Sequence, residues 1–248
     1  MEKYRYIPRF YGCYLASTGW QIPPSEGKHL KVLKIKSGEI IELCNGKGRE
    51  ARVRMLALPS RGELSFEVIS ENTSPPMRPQ IQIYVIGDFS GEISRYIAPM
   101  TELGLSTIGW LSNKKDQGVE RWQRLAIAAI KQSKSPYFLQ IKQRSSLEEC
   151  LAHDPEECRW VVDPSGPRFL ADELVSWQRS VKGLSREKTE DKKHRLFTFY
   201  LGDRSGFKPK DMTFLCQEKR AHLGPHILRL PTAIQCVASL SRQILGFS

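Results

Sequence analysis

The apolar positions divide the chain into two regimes. Over roughly the first 72 residues they recur in short runs. Leu30-Lys31-Val32-Leu33-Lys34-Ile35 alternates apolar and basic residues with period two, as a half-buried strand does. Ser37-Gly38 predicts a turn and Glu39 to Leu43 a second strand. Asn45-Gly46-Lys47-Gly48 predicts a hairpin, because Asn-Gly accepts positive φ. Glu50 to Met55 returns as a third strand, and Leu64 to Ile69 is a fourth. Strands this short and this numerous predict a small barrel or sandwich. The stretch from Glu71 to Pro79 holds Pro75, Pro76 and Pro79 and reads as a linker, since prolines do not enter a central strand.

Beyond the linker, strand and helix patterns alternate. Strands are predicted at Ile81 to Ile86, Thr107 to Leu111, Tyr137 to Ile141, Trp160 to Val162 and Leu196 to Leu201. Helices are predicted at Glu92 to Leu103, kinked at Pro99, and at Gln117 to Gln132, where Trp122, Leu125, Ala126 and Ala129 make an apolar stripe. A further helix opens at Ser146-Leu147-Glu148-Glu149, which has capping-box spacing. Others run from Leu170 to Trp177 and onward from Pro231, where proline suits the first helical position. Lys182 to His194 is charged and poor in apolar residues, and predicts a mobile loop. This order predicts an α/β domain with a mostly parallel sheet covered on both faces.

Composition changes the picture in one respect. The chain has 248 residues with 38 Lys and Arg against 27 Asp and Glu, a net charge of +11. That excess fits a polyanionic partner such as RNA, though ordinary soluble proteins share it. No apolar run has the length of about 18 residues that spans a bilayer, and Met1 to Tyr6 is not followed by a signal-peptide core, so a soluble cytoplasmic protein is expected. The six cysteines are scattered. Cys150-x-x-His153-x-x-x-x-Cys158 is the one metal-like cluster, and its spacing suits helix-end residues better than zinc. No metal is expected.

In an open parallel sheet, ligands bind beyond the carboxyl ends of the strands. Three turns are placed there: Asp163-Pro164-Ser165-Gly166, Gly202-Asp203-Arg204-Ser205-Gly206-Phe207, and Leu223-Gly224-Pro225-His226-Ile227-Leu228-Arg229. Their glycines let backbone groups approach a ligand. The sequence holds no G-x-S-x-G, Walker A or H-E-x-x-H motif, so the residues alone stop at a basic α/β protein with a glycine-loop ligand site.

Taken in order, several blocks resemble the ribosomal RNA small subunit methyltransferase E family. They are Pro8-Arg9-Phe10, His29 to Lys34, Gly38 to Leu43, Asn45 to Gly48, Thr101-Glu102-Leu103-Gly104-Leu105, Glu120 to Arg124, Ala126, Ala128, Gln132-Ser133, Leu223 to Arg229 and Thr232-Ala233. Members of that family are SPOUT methyltransferases that use S-adenosyl-L-methionine to methylate N3 of a uridine in 16S rRNA of the small ribosomal subunit. The resemblance implies a PUA-like, RNA-binding β-barrel over residues 1–72. It implies a SPOUT α/β trefoil-knot methyltransferase domain over 79–248, and a homodimer. On the matching positions it implies a cofactor cradle of Gly202, Gly206, Leu223, Gly224, Ile227, Leu228 and Thr232. Arg229 and Glu102 become the candidate catalytic residues, with Asp203 a possible base. Arg9, Lys31, Lys34, Lys36, Arg52 and Arg54 become candidate phosphate contacts on the barrel.

The chain also departs from the family pattern. Gly202-Asp203-Arg204-Ser205-Gly206-Phe207 stands where the family has G-P-E-G-G-F. Arg229-Leu230-Pro231-Thr232-Ala233 stands where it has R-T-E-T-A, and Pro99-Met100 precedes Thr101 where it has K-A. Two readings follow. One is an active uridine-N3 methyltransferase. The other is a catalytically degenerate SPOUT-fold protein that binds RNA or dimerises, with Arg204 or Pro231 filling the cofactor pocket.

Overall fold

The computed structural model describes residues 7–57, 64–87, 89–112, 118–154, 156–182 and 196–246. They form two compact units. The first is Met1–Pro76 together with Arg124–Phe138, and the second is Met77–Gln123 with Leu139–Ser248.

In the first unit, β1 (Arg9–Tyr11), β4 (Ile40–Cys44), β5 (Arg49–Ala57) and β6 (Ser65–Thr73) form a four-stranded sheet in that order, while β2 (Cys13–Leu15) and β3 (Gly19–Gln21) pair as a separate hairpin. β1 lies parallel to β4, and the β4–β5 and β5–β6 pairs are antiparallel. The predicted turn joins β4 to β5: the Asn45 side chain accepts hydrogen bonds from the Lys47 and Arg49 backbone N–H groups at 2.8 and 3.1 Å. Gly46 there has φ +66°, and a Cβ would strike the Phe138 ring at 2.2 Å. Phe10, Trp20, Leu30, Ile41, Leu43, Val53 and Met55 form the core.

Leu30 to Ile35 is not a strand. Pro24–Val32 is a helix, α1, with Pro at its start, Glu26 in its first turn, and His29 and Lys31 in its last. The alternation misleads because Leu30 and Ile35 pack against the core while Val32 is 74% and Leu33 48% exposed. Pro23-Pro24 upstream is the stronger signal. Lys34, with φ +55°, ends the turn. The linker is also shorter than expected, since β6 continues to Thr73.

The second unit is a seven-stranded sheet in the order β11 (Arg168–Phe169), β13 (Lys219–His222), β10 (Arg159–Val162), β12 (Leu196–Gly202), β7 (Gln80–Ile86), β8 (Thr107–Leu111) and β9 (Gln140–Arg144). Every pair is parallel. Burial on both faces explains why β7 is apolar along nearly its whole length, with all six residues from Ile81 to Ile86 buried. Gln82, the polar exception, donates to Asp154 and Thr198, each at 2.7 Å, and the Tyr200 hydroxyl donates to Asp154 at 2.6 Å. Trp160 stacks against Phe197 and Phe199, with ring centroids 6.0 and 5.7 Å away.

The connecting helices are α2 (Ile97–Glu102), α3 (Val119–Ser133), α4 (Leu147–His153), α5 (Leu170–Lys182), α6 (Pro209–Leu215) and α7 (Leu230–Leu245). The predicted helix from Glu92 is broken into a 3₁₀ turn, Ile93–Arg95, and α2. Pro99 does not kink it, because the third residue of a helix has no intrahelical use for its N–H. Ser146 caps α4 as expected, accepting from the Glu149 N–H. The strand predicted at Tyr137 begins at Gln140 instead. Tyr137 belongs to the first unit, where its hydroxyl donates to the Ser74 carbonyl at 2.7 Å. The strand β13 and helix α6 were not anticipated. The charged stretch after Lys182 lies outside the described residues.

Among the described residues no helix is long and apolar enough to cross a membrane, and no group of His, Cys, Asp and Glu is arranged to hold a metal.

Candidate active site

β13, β10, β12 and β7 are adjacent and parallel, so their carboxyl ends share one edge of the sheet. The segments leaving those ends enclose a cavity of about 640 Å³, within the range usual for small-molecule sites. The three turns expected from the sequence all reach it. A fourth segment, which the sequence did not reveal, contributes Glu92 and Arg95 from the chain leaving β7.

Each wall has a local cause. Past β10, Asp163 accepts hydrogen bonds from the Ser165 N–H at 2.9 Å and from Arg220 at 3.0 Å. Burial pushes its carboxyl up, but Ser165 and Arg220 outweigh that and hold it below the usual carboxylate range. Past β12, the turn folds back so tightly that a Cβ on Gly202 would lie 2.5 Å from the Gly206 carbonyl carbon. The Gly206 N–H donates to the Asp203 carbonyl at 2.9 Å, and the Ser205 N–H donates to the Asp203 carboxylate at 2.8 Å. Past β13, Gly224 has φ +130° and donates its N–H to His222 Nδ1 at 3.0 Å. The chain then enters α7 with Arg229 as its N-terminal flanking residue and Pro231 in the first turn. Leu230, Ile234, Val237 and Ala238 anchor that helix in the core.

Of the expected cradle, Gly202, Gly206, Leu223, Gly224, Ile227 and Leu228 line the cavity, and so does Arg229. Asp203 stands there too. Thr232 and Glu102 do not: Thr232 is exposed on α7, and Glu102 is exposed at the far end of α2. The polar groups that the post-β7 segment brings are Glu92 and Arg95, which precede α2. Arg204 Nη2 pairs with Glu92 Oε1 at 2.9 Å. Glu92 Oε2 is buried and finds no hydrogen-bond partner among the described residues; the same holds for the Tyr96 hydroxyl. Burial, and then the nearby Glu92 charge, push that hydroxyl's pKa up. Sequence patterning has no signal for Glu92, because nothing in its spacing separates it from a solvated helix start.

The first unit separates its candidate phosphate contacts. Arg9 is committed to Glu42 at 3.2 Å and Glu50 at 2.6 Å, with a side chain only 8% exposed, so its charge is spent inside the fold. Lys31, Lys34 and Lys36 are exposed. Arg52 lies 4.0 Å from Glu42 and Arg54 3.0 Å from Glu67, and both remain largely open to solvent.

Residues 91–242 match the RNA methyltransferase domain family. The chain belongs to that family. Residues 22–69 match the RNA methyltransferase PUA domain. Every residue that lines the cavity lies within the 91–242 match. Over 228 residues the chain is 25% identical to ribosomal RNA small subunit methyltransferase E of Aquifex aeolicus (strain VF5), covering 87% of this chain and 90% of that protein. Two solved structures share the fold. One is a ribosomal RNA small subunit methyltransferase E from Neisseria gonorrhoeae bound to S-adenosyl methionine (TM-score 0.67, 21% identity, covering 94% of this chain and 96% of the other). The second, from Porphyromonas gingivalis, is described as a "probable rRNA-methyltransferase" (TM-score 0.72, 19% identity, covering 94% and 95%).

Proposed function

We propose that this chain transfers a methyl group from S-adenosyl-L-methionine to N3 of a uridine in 16S rRNA of the small ribosomal subunit. The observation that carries this reading is the convergence of glycine-bearing strand ends on one open cavity, in a chain of the RNA methyltransferase domain family. The named Aquifex relative and the cofactor in the Neisseria structure supply the substrate and donor classes. The family departures do not close the pocket: Arg204 and Pro231 both stand on its wall, and about 640 Å³ remains. That open volume favours the active reading over the degenerate one.

The residues present fit the cofactor. Backbone groups at Gly202, Gly206, Leu223, Gly224, Ile227 and Leu228 would hold its nucleoside, since the absence of side chains at the glycines lets the backbone approach closely. Glu92 leaves a buried carboxylate oxygen with an open acceptor position on the same wall. When bound, the sulfonium supplies an electrophilic methyl group. This chain must then do two things. It must hold the uracil N3 in line with that carbon, which alone can contribute several kcal/mol. It must also relieve the N3 proton and the charge developing on O2 and O4. Arg229, at the cavity edge and exposed, is placed to stabilise the charge on O2 and O4, and Asp203 on the same wall is the candidate acceptor for the N3 proton. Because N3 lies on the Watson–Crick edge, the target must be unpaired or extruded. The PUA unit would grip the surrounding phosphates through Lys31, Lys34, Arg52 and Arg54. The reading includes a homodimer, a C-terminal half threaded as a trefoil knot, and action in the cytoplasm.

Mass mapping of 16S rRNA tests it. A strain lacking this chain should lose one N3-methyluridine, and purified protein with S-adenosyl-L-methionine should restore it on small subunits or rRNA from that strain. An unchanged modification map in the deletion strain would overturn the substrate assignment.

A further inference from the structure

The cavity wall has two chemical halves. The turns after β12 and β13 offer backbone groups and small or apolar side chains: Gly202, Gly206, Leu223, Gly224, Leu228. The segment after β7 offers charge, Glu92 and Arg95, and Glu92 pairs with Arg204 of the β12 turn. The negative groups on the wall differ in what they still have to give. Asp163 is engaged by Ser165 and Arg220, and Asp203 by the Ser205 N–H. Glu92 spends one oxygen on Arg204 at 2.9 Å and keeps the other buried, with no partner among the described residues. A buried acceptor without a donor costs stability, so its retention in a ligand cavity points to a donor that arrives with the ligand. Arg204 is 69% exposed at its side chain, so most of its guanidinium N–H groups also remain open.

A carboxylate with one open acceptor, paired to a guanidinium with open donors, is complementary to a zwitterion. The α-amino-acid end of the proposed cofactor is one at neutral pH, an ammonium beside a carboxylate. The nucleoside end carries no charge and matches the other half of the wall. The family loop G-P-E-G-G-F has glutamate at the position of Arg204; here that position is cationic and the acid stands on the opposite wall.

We propose that the Glu92–Arg204 ion pair is the seat of the cofactor's amino-acid tail, with Glu92 accepting from its ammonium and Arg204 donating to its carboxylate. The proposal rests on the cofactor reading above and adds to it the residues that recognise the tail. The pair acts in binding and orientation; it takes no proton from the substrate.

The test is calorimetry on the full-length protein with two probes. S-adenosylhomocysteine carries the tail, and 5′-methylthioadenosine has the same nucleoside and thioether without it. Wild type should prefer the first. Glu92→Gln and Arg204→Gln should each weaken S-adenosylhomocysteine by about tenfold or more, as expected for a lost charge-assisted hydrogen bond. Both should leave 5′-methylthioadenosine within about twofold. Retained binding of the tail-less probe certifies a folded pocket. Equal loss for both probes would overturn the proposal, because Glu92 would then shape the cavity as a whole. Unchanged binding of both by the variants would overturn it as well. If wild type binds neither probe, the cofactor reading itself falls and takes this one with it, a result distinct from the other two.

Discussion

Single residues decide how the cavity is shaped. Gly202 has no room for a Cβ, because the backbone of Gly206 lies 2.5 Å from where it would stand. Gly202→Ala must therefore spread the turn, and backbone cannot yield cheaply. Binding of S-adenosylhomocysteine, followed by calorimetry, should fall by at least about tenfold, with destabilisation of about 1–3 kcal/mol. Arg229 is the opposite case: an exposed side chain on the cavity edge that makes no ion pair among the described residues. Arg229→Ala should lower the single-turnover methylation rate by about 10- to 100-fold, the loss of one charge-stabilising contact, while the melting temperature moves by less than about 2 °C. Full activity in that variant would remove Arg229 from the chemistry. The glycine turns and Arg229 were legible in the sequence because special backbone conformations demand special residues. Glu92 was not, because what sets it on the cavity wall includes an ion pair with Arg204, more than a hundred positions away.

At the scale of elements, the parallel sheet was readable and its partners were less so. Buried strands announce themselves by uninterrupted apolar runs, as in Ile81 to Ile86 and Leu196 to Leu201. β13 did not, since Lys-Arg-Ala-His buries only Ala221 in full. Helix α1 was misread because a six-residue alternation fits either periodicity when half of its apolar members face water. Its anchor is Leu30, wholly buried. Leu30→Ala should destabilise the protein by about 2–5 kcal/mol in chemical denaturation, whereas Val32→Ala should change little. The strand–helix contacts within the first unit also carry a pH signature. Burial pushes the Glu42 carboxyl up, but Lys134 at 2.6 Å and Arg9 override it and leave its pKa lowered from 4.5. A lowered carboxylate stabilises the fold fully above the unfolded value and loses that contribution as pH falls through the folded one. Lys134→Met should thus cost about 1 kcal/mol at pH 7 and less as pH falls through the folded value of Glu42, leaving the bond from Lys134 to the Ile7 carbonyl as the part that does not titrate, read from melting temperatures across acid pH.

At the scale of the whole molecule, the charge of +11 is a statement about partners. RNA binding measured by filter retention should weaken steeply with salt, and the double variant Arg52→Gln, Arg54→Gln should flatten the log–log slope by up to about two units. An unchanged slope would move the RNA contact elsewhere. The division into two units could be anticipated from the change of period near the linker. The return of Arg124–Phe138 to the first unit could not, because Gln117 to Gln132 reads as one uninterrupted helix. That return has a consequence for biosynthesis. Glu26 waits for Lys131, Glu42 gains Lys134 in addition to Arg9, and the turn at Gly46 waits for Phe138. A nascent chain that has emerged only as far as Pro76 can already pair Glu42 and Glu50 with Arg9, but the buried Glu26 has no Lys131 to meet and the Gly46 turn no aromatic cover, so this unit is completed only after translation has passed Phe138.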